Sequence, residues 1–268
     1  MRIAFIGGGT MAEAILNGVL EKKLAAPADI AVVEPVEARR THLTHQYGVV
    51  TTADAKSAVS AGDIVVLAVK PQDLPKAMSN IKGTLTASQA VLSIVAGVKI
   101  GAIIAGLAHP AVIRVMPNTP AQIGAAASVW TATPEVTPER LDEARSLLQA
   151  IGEETQVASE KYVDMATGLS GSGPAYVFMF IESLTDAGVH VGLPRDMAAK
   201  LAVQTVLGSA QLVQQSGRHP AELRNMVTSP GGTTAEGTLV LEASGFRASV
   251  IEAVEAAYEK ALLLGEEE

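Results

Sequence analysis

The run Asp63-Ile64-Val65-Val66-Leu67-Ala68-Val69-Lys70-Pro71 constrains the fold more than any other stretch, because every position between its acidic start and its Lys-Pro stop is apolar. A strand exposed on one face alternates apolar and polar residues, so a strand without a polar position has both faces covered. That is the signature of a parallel sheet with helices on both sides. The first half of the chain supplies the rest of such a sheet. Arg2–Ile6, Ile30–Glu34, Val49–Thr51, Ile64–Val69, Ala90–Ile94 and Ala111–Met116 read as strands, and helix-length segments such as Met11–Glu21 and Val36–Tyr47 lie between them.

After about residue 160 the strand pattern gives way to Ala-rich helical segments with proline starts and glycine stops. Pro174 opens a helix that stops near Gly188, and Pro194 opens another that stops near Gly217. A short helix from Pro220 to Val227, then Thr233–Ser244 and Phe246–Leu264, complete an all-helical half, with Gly265–Glu268 as a loose acidic tail. The division expected is therefore a first domain over residues 1–160 and a second over 161–268. Ala198, Leu201, Ala202, Val203, Val206, Leu207 and Ala210 make one of these helices apolar over much of its circumference, which in so small a domain points to a dimer formed through this half.

Composition removes several classes of function. Lys and Arg number 20 against 28 Asp and Glu, a net charge of −8, and no basic run is available to neutralise a row of phosphates, which argues against a nucleic-acid partner. Without cysteine there are no disulfides, thiolate nucleophiles or cysteine-ligated metals, a composition compatible with a reducing cytoplasm. Ile3–Ile6 is too short for a signal segment, and Ser93–Ala108 is interrupted by Lys99 and several glycines, so no membrane span is expected.

Two glycine turns carry the chemistry. The first, Gly7-Gly8-Gly9-Thr10-Met11-Ala12, follows a strand and opens a helix, the setting in which backbone donors approach a dinucleotide pyrophosphate. Glu34 ends the second strand, where an acidic residue hydrogen-bonds the adenine ribose and repels a 2′-phosphate, while Arg39 and Arg40 reach such a phosphate only by folding back from the next helix. These residues lean towards NAD over NADP. Val69-Lys70-Pro71-Gln72 and Ser93-Ile94-Val95-Ala96-Gly97 end two further strands and are candidate nicotinamide-side loops. The second turn, Ser229-Pro230-Gly231-Gly232-Thr233-Thr234, runs into a helix. The N–H groups of Gly232, Thr233 and Thr234 and the hydroxyls of Ser229 and Thr234 are placed to grip a carboxylate at that helix N-terminus.

Together with these turns, Ala68-Val69-Lys70-Pro71, Arg114-Val115-Met116-Pro117-Asn118-Thr119-Pro120 and Thr167-Gly168-Leu169-Ser170-Gly171-Ser172-Gly173-Pro174-Ala175-Tyr176 follow in an order that resembles the pyrroline-5-carboxylate reductases over essentially the whole chain. The resemblance implies an α/β fold, an N-terminal Rossmann-like doubly wound sheet with a C-terminal all-helical dimerisation domain, and dimers that in this family often assemble into a larger ring. It implies NADPH- or NADH-dependent reduction of 1-pyrroline-5-carboxylate to L-proline, the last step of proline synthesis. Carried onto this chain, it makes Ser229, Gly231, Gly232 and Thr233 the carboxylate cradle and Thr234 the hydroxyl beside the ring nitrogen. It sets Lys70, Pro71, Ser93, Ala96, Met116, Asn118 and Thr119 beside the coenzyme. Thr238 stands where the family has an aliphatic residue.

Such chemistry needs neither a metal nor a strong acid, and the chain shows neither. No ligand cluster has usable spacing, and His42, His45, His109, His190 and His219 read as surface or capping residues. Tyr176 and Asn118 are candidate proton-relay groups with equally good packing roles. A β-hydroxyacid dehydrogenase would place a lysine base on the helix after the Gly-Ser-Gly turn, yet Tyr176–Glu182 contains none. A non-catalytic dinucleotide-binding protein would have no use for an intact Ser229–Thr234 turn.

Overall fold

The computed structural model describes residues 1–266. The chain forms two compact units, one of Met1–Ser172 together with the residues from Ala256 on, the other of Gly173–Glu255. In the first, β1 (Ile3–Ile6), α1 (Thr10–Glu21), β2 (Ile30–Val33), α2 (Glu37–Tyr47), β3 (Val50–Thr52), α3 (Ala55–Ala61), β4 (Ile64–Leu67), α4 (Leu74–Ile81), β5 (Ala90–Ser93), α5 (Ile100–Leu107) and β6 (Val112–Met116) alternate strand and helix. There follow β7 (Ala126–Ala132), α6 (Pro138–Gln149), β8 (Gly152–Gln156) and α7 (Glu160–Ala166).

All eight strands share one sheet in the order β3-β2-β1-β4-β5-β6-β7-β8. The chain winds outward from β1 to β3, then restarts at β4 on the other flank of β1. Connections therefore leave the carboxyl ends of β1 and β4 in opposite directions, and a crevice opens between them. The apolar pattern follows directly from burial on two faces. Ile3, Phe5, Ile64 and Val66 pack with Ile15, Leu16, Leu43 and Trp130 on one side, while Ala4, Ile6, Val65 and Leu67 pack with Val59, Leu74, Met78 and Ile103 on the other.

Two strands depart from the expected parallel pattern. β7 runs antiparallel to β6, and β8 pairs parallel with β7 at the sheet edge. β8 reads Gly-Glu-Glu-Thr-Gln and has no apolar run, while β7 buries small residues such as Ala126 and Ser128 that carry little strand signal. Both are held by pairing rather than by local preference.

The second unit is all-helical, as its pattern predicts: α8 (Gly173–His190), α9 (Arg195–Ser216), α10 (Pro220–Met226), α11 (Thr233–Ala243) and the first part of α12 (Phe246–Glu266). Gly217 ends α9 in the left-handed conformation at φ 62°, the stop that glycine permits without a Cβ penalty. These helices hide little of themselves. Phe178, Met179, Leu239 and Ile251 are 60–69% exposed, and among the described residues α11 buries none of its side chains.

Two boundaries differ from expectation. The units divide at Ser172 and not at residue 160, because α7 is ion-paired to β6 through Asp164 and Arg114 and so belongs with the sheet. The expected acidic tail is helical through Glu266, while residues 267–268 lie outside the described residues. Gly265 sits so close to the loop after β5 that a Cβ there would lie 2.8 Å from the Gly97 carbonyl oxygen. The glycine that suggests a loose end is a packing residue. Among the described residues no helix is long and apolar enough to cross a membrane.

Candidate functional site

Backbone geometry at the first glycine turn explains why Gly7 has no side chain. Gly7 has φ +100°, and a Cβ on it would lie 2.7 Å from the Ala68 carbonyl oxygen at the end of β4. Gly7 N–H donates to Val33 O at 2.9 Å and Ala68 N–H to Ile6 O at 2.9 Å, so the turn is stitched to both neighbouring strands. Gly9 is the N-cap of α1, has no capping side chain, and has nothing within 4 Å of where its Cβ would stand. The N–H groups of Thr10 and Met11 belong to the first turn of α1 and have no acceptor within the helix, which makes this end an anion site by geometry and by helix dipole. A pyrophosphate fits a turn of this kind, and a side chain does not.

In front of the turn is a cavity of about 660 Å³. Gly7, Gly9, Glu34, Val69 and Lys70, all expected at a coenzyme site, line it with Gln72, Asp73, Lys76, Ala77 and Asn80. Gln72 closes the Val69–Gln72 loop expected there, whereas Asp73, Lys76, Ala77 and Asn80 follow it and share no sequence motif. Their spacing, with Asp73, Lys76, Ala77 and Asn80 on one helical face, is the one signal that could have revealed them.

Glu34 is a structural part of this wall. Its Oε2 accepts the Gly8 N–H at 3.0 Å and its Oε1 the Val36 N–H at 2.9 Å. Arg39 folds back from α2, donating from Nε to Gly8 O at 2.6 Å and from Nη2 to Glu13 at 2.5 Å. Glu13, on the first turn of α1, also accepts from His42 at 2.8 Å and Tyr47 at 3.0 Å. Burial pushes the Glu13 carboxyl up, but hydrogen bonds from His42, Arg39 and Tyr47 outweigh it and hold it below the usual carboxylate value. His42 is therefore a clamp between α1 and α2.

The loops at the ends of β5 and β6 are braced from below. Ser93 is fully buried and its hydroxyl accepts the Val95 N–H at 3.3 Å, shaping the turn that carries Ala96. Gly97, at φ +80°, lets Leu264 of α12 approach, a Cβ there being 2.9 Å from Leu264 Cβ. After β6, Asn118 accepts the Ala127 N–H at 2.9 Å and donates to Ser170 O at 3.0 Å. Its amide braces the loop to β7 and to the turn that carries Ser170. Ser170 belongs to a π-helical turn, Thr167–Gly171, where a Cβ on Gly171 would lie 2.8 Å from Met116 Cε. Thr119 opens a 3₁₀ turn at once after Asn118, and Pro71 opens another after Lys70.

Beneath these loops lies an ion cluster without a sequence signature. Arg114 donates to Asp164 at 2.6 Å and to Glu160 at 3.0 Å, Lys99 also pairs with Asp164, and Glu160 accepts the Ile100 N–H at 3.0 Å. Arg114 and Asp164 are 2% and 1% exposed, so this is a buried pair, with Glu160 and Lys99 as its further partners.

The second glycine turn is described within its own unit. Gly231 has φ +67°, and a Cβ on Gly232 would fall against the Ser229 hydroxyl. Gly232 donates to Ser229 O at 3.0 Å and caps α11 without a side chain, leaving the Thr233 and Thr234 N–H groups outside the helix ladder. Among the described residues the Ser229 and Thr234 hydroxyls engage no hydrogen-bond partner. Thr238, the residue that departs from the family pattern, turns its hydroxyl onto Thr234 O at 2.9 Å and Ala235 O at 3.0 Å and faces its own helix. His219 caps α10 by accepting the Ala221 N–H at 3.1 Å, whereas His109 is buried against Gln89 O and is not a surface residue as its turn position suggests.

Known proteins resemble this arrangement over its full length. A family model described as pyrroline-5-carboxylate reductase dimerisation matches residues 160–264, and one described as NADP oxidoreductase coenzyme F420-dependent matches residues 2–97. A pyrroline-5-carboxylate reductase from Synechocystis is 45% identical over 99% of this chain and 98% of its own length, and one from Escherichia coli is 42% identical over 97% and 96%. The solved pyrroline-5-carboxylate reductase of Coxiella burnetii superposes with a TM-score of 0.91 at 35% identity, covering 98% of each chain. A pyrroline carboxylate reductase of Plasmodium falciparum, solved with NADP bound, gives 0.90 at 32% identity and covers 99% of this chain and 98% of that one.

Proposed function

This chain belongs to the pyrroline-5-carboxylate reductase family, and from that premise we propose how its residues reduce 1-pyrroline-5-carboxylate to L-proline, the last step of proline synthesis. The coenzyme is NADPH or NADH. The observation that carries this reading is a pair of open helix N-termini, one behind Gly9 and one behind Gly232, each uncapped by a side chain. One suits a pyrophosphate and the other a small carboxylate.

The turn at Gly7–Met11 holds the pyrophosphate through backbone donors, and Val69, Lys70, Pro71, Ser93, Ala96, Met116, Asn118 and Thr119 shape the wall along which the rest of the coenzyme lies. When bound, the reduced coenzyme supplies a hydride to the imine carbon. A cyclic imine protonated at nitrogen is already electrophilic, so this chain must orient rather than activate it, bringing the reacting carbons to ~3–3.5 Å. Ser229, Gly231, Gly232 and Thr233 fix the substrate through its carboxylate. The Thr234 hydroxyl bonds the ring nitrogen and follows it as it changes from iminium to amine. No lysine base stands at the start of α8, so the dehydrogenase alternative is not favoured.

Initial rates of NADPH and NADH oxidation with 1-pyrroline-5-carboxylate, with the six-membered imine as comparison, test the activity directly. Thr234→Ala should lower kcat/KM roughly 5- to 150-fold, the equivalent of one buried hydrogen bond of ~1–3 kcal/mol, while coenzyme affinity stays as it is. Unchanged turnover removes Thr234 from the mechanism.

The helical unit dimerises, and the partner covers the apolar surface that α8, α9 and α12 leave open, with Met179 69% and Ile251 66% exposed in the single chain. Dimers then assemble into a ring in the cytoplasm. The double variant Met179→Glu, Ile251→Glu should run at half the wild-type dimer mass in light scattering at micromolar concentration. A mass unaffected by both charges would move the interface off this face.

A further inference from the structure

We propose that Glu34 is the coenzyme-selecting residue of this enzyme and that it selects NADH over NADPH. The inference rests on the coenzyme reading above and adds to it a preference that the fold alone leaves open.

Three observations combine. Glu34 stands at the carboxyl end of β2 and lines the cavity in front of the glycine turn, between Val33 and Pro35. Its carboxylate is held by two backbone donors, Gly8 N–H at 3.0 Å and Val36 N–H at 2.9 Å, so it cannot swing away when a ligand arrives without leaving both unsatisfied. A carboxylate has about four lone-pair sites, and those bonds use one on each oxygen, so acceptors remain for the two hydroxyls of an adenine ribose. A diol matches that arrangement. A 2′-phosphate instead brings about −1.5 to −2 charges and no donor to a fixed anion.

The two arginines of α2 nearest Glu34 are tied to protein acceptors. Arg39 directs Nε to Gly8 O at 2.6 Å and Nη2 to Glu13 at 2.5 Å. Arg40 directs Nη1 to Glu34 O and Pro35 O, both at 2.8 Å. Arg39 folds back to the glycine turn and to Glu13, Arg40 to the carbonyls that follow β2, and neither lines the cavity. The lysines that do line it, Lys70 and Lys76, follow β4 and lie on the other flank of β1 from Glu34. The acidic residue faces the ribose while the arginines serve the scaffold.

Fluorescence titration of NADH and NADPH into the free enzyme tests this without any turnover, so the selectivity and the imine reduction can fail independently. Wild-type protein should bind NADH at least tenfold more tightly than NADPH. Glu34→Gln, which keeps the size and removes the charge, and Glu34→Ser should each move the ratio of dissociation constants at least tenfold towards NADPH. Loss of the Gly8 brace weakens both coenzymes alike and leaves that ratio untouched. Lys76→Ala should also leave it untouched. Tighter wild-type binding of NADPH, a ratio unmoved by either Glu34 variant, or a ratio that moves only in Lys76→Ala would each overturn the assignment.

Discussion

A methyl group on Gly7 is expected to cost this enzyme its coenzyme: Gly7→Ala should bind NADH and NADPH ~100-fold more weakly, about 2.8 kcal/mol. Two independent effects act at this position. The backbone holds φ +100°, a region that residues with a Cβ occupy only at a cost of ~1–3 kcal/mol. The new carbon would also lie 2.7 Å from the Ala68 carbonyl oxygen and 2.9 Å from its carbon, and neither is the mobile end of a side chain. Relief requires the turn to move off the end of β4, carrying the α1 N-terminus with it. Gly9→Ala separates binding from folding, because Gly9 has an ordinary φ of −70° and nothing within 4 Å of its Cβ position. That variant should melt at the wild-type temperature and still bind coenzyme poorly, since its methyl group enters the space in front of the helix. Wild-type affinity in both variants would place the coenzyme elsewhere.

The largest effect on stability is expected from Asp164→Ala. Asp164 is 1% exposed and accepts from Arg114, itself 2% exposed, and from Lys99. Removing the carboxylate leaves a buried guanidinium with Glu160 as its remaining partner, a situation that costs about 3–5 kcal/mol. For a chain of this length that corresponds to a melting temperature lower by ~10 °C, measurable by calorimetry or circular dichroism. Asp164→Asn, which keeps an acceptor for Arg114, should recover part of the loss. A melting curve unchanged by Asp164→Ala would show that the cluster relaxes at little cost. The effect is not confined to stability, because α7 leads directly into the π-helical turn whose Ser170 carbonyl is tied to Asn118.

The two glycine turns were readable before the fold because they are local. Gly7 and Gly231, at φ +100° and +67°, are required by turns that close within a few residues, and such turns leave a residue-type signature. The cavity wall formed by Lys76, Ala77 and Asn80 was not readable, since it becomes a wall only when α4 packs beside the glycine turn. His42 and Arg39 sit on a helix that looks solvated in one dimension, and their partner Glu13 lies far away in sequence on α1. Gly265 and Thr238 show the converse, residues whose identity invites a reading that their surroundings overrule.

By itself the sequence determined the period and the punctuation. Runs such as Ile64–Leu67 must be strands covered on both faces, Pro194 and Gly217 must bound a helix, and the two glycine turns must open helices. These follow from sterics and hydrophobic alternation acting over a few residues. Tertiary structure alone decided that β7 reverses direction, that the polar β8 joins the sheet, that α7 and the end of α12 belong with the first unit, and that Arg114 meets Asp164. It also decided that the Glu34 carboxylate is pinned to Gly8 while Arg39 and Arg40 face the backbone. Each of these is a pairing between distant positions, and its energy exists only after the intervening chain has closed, so no local pattern can carry it.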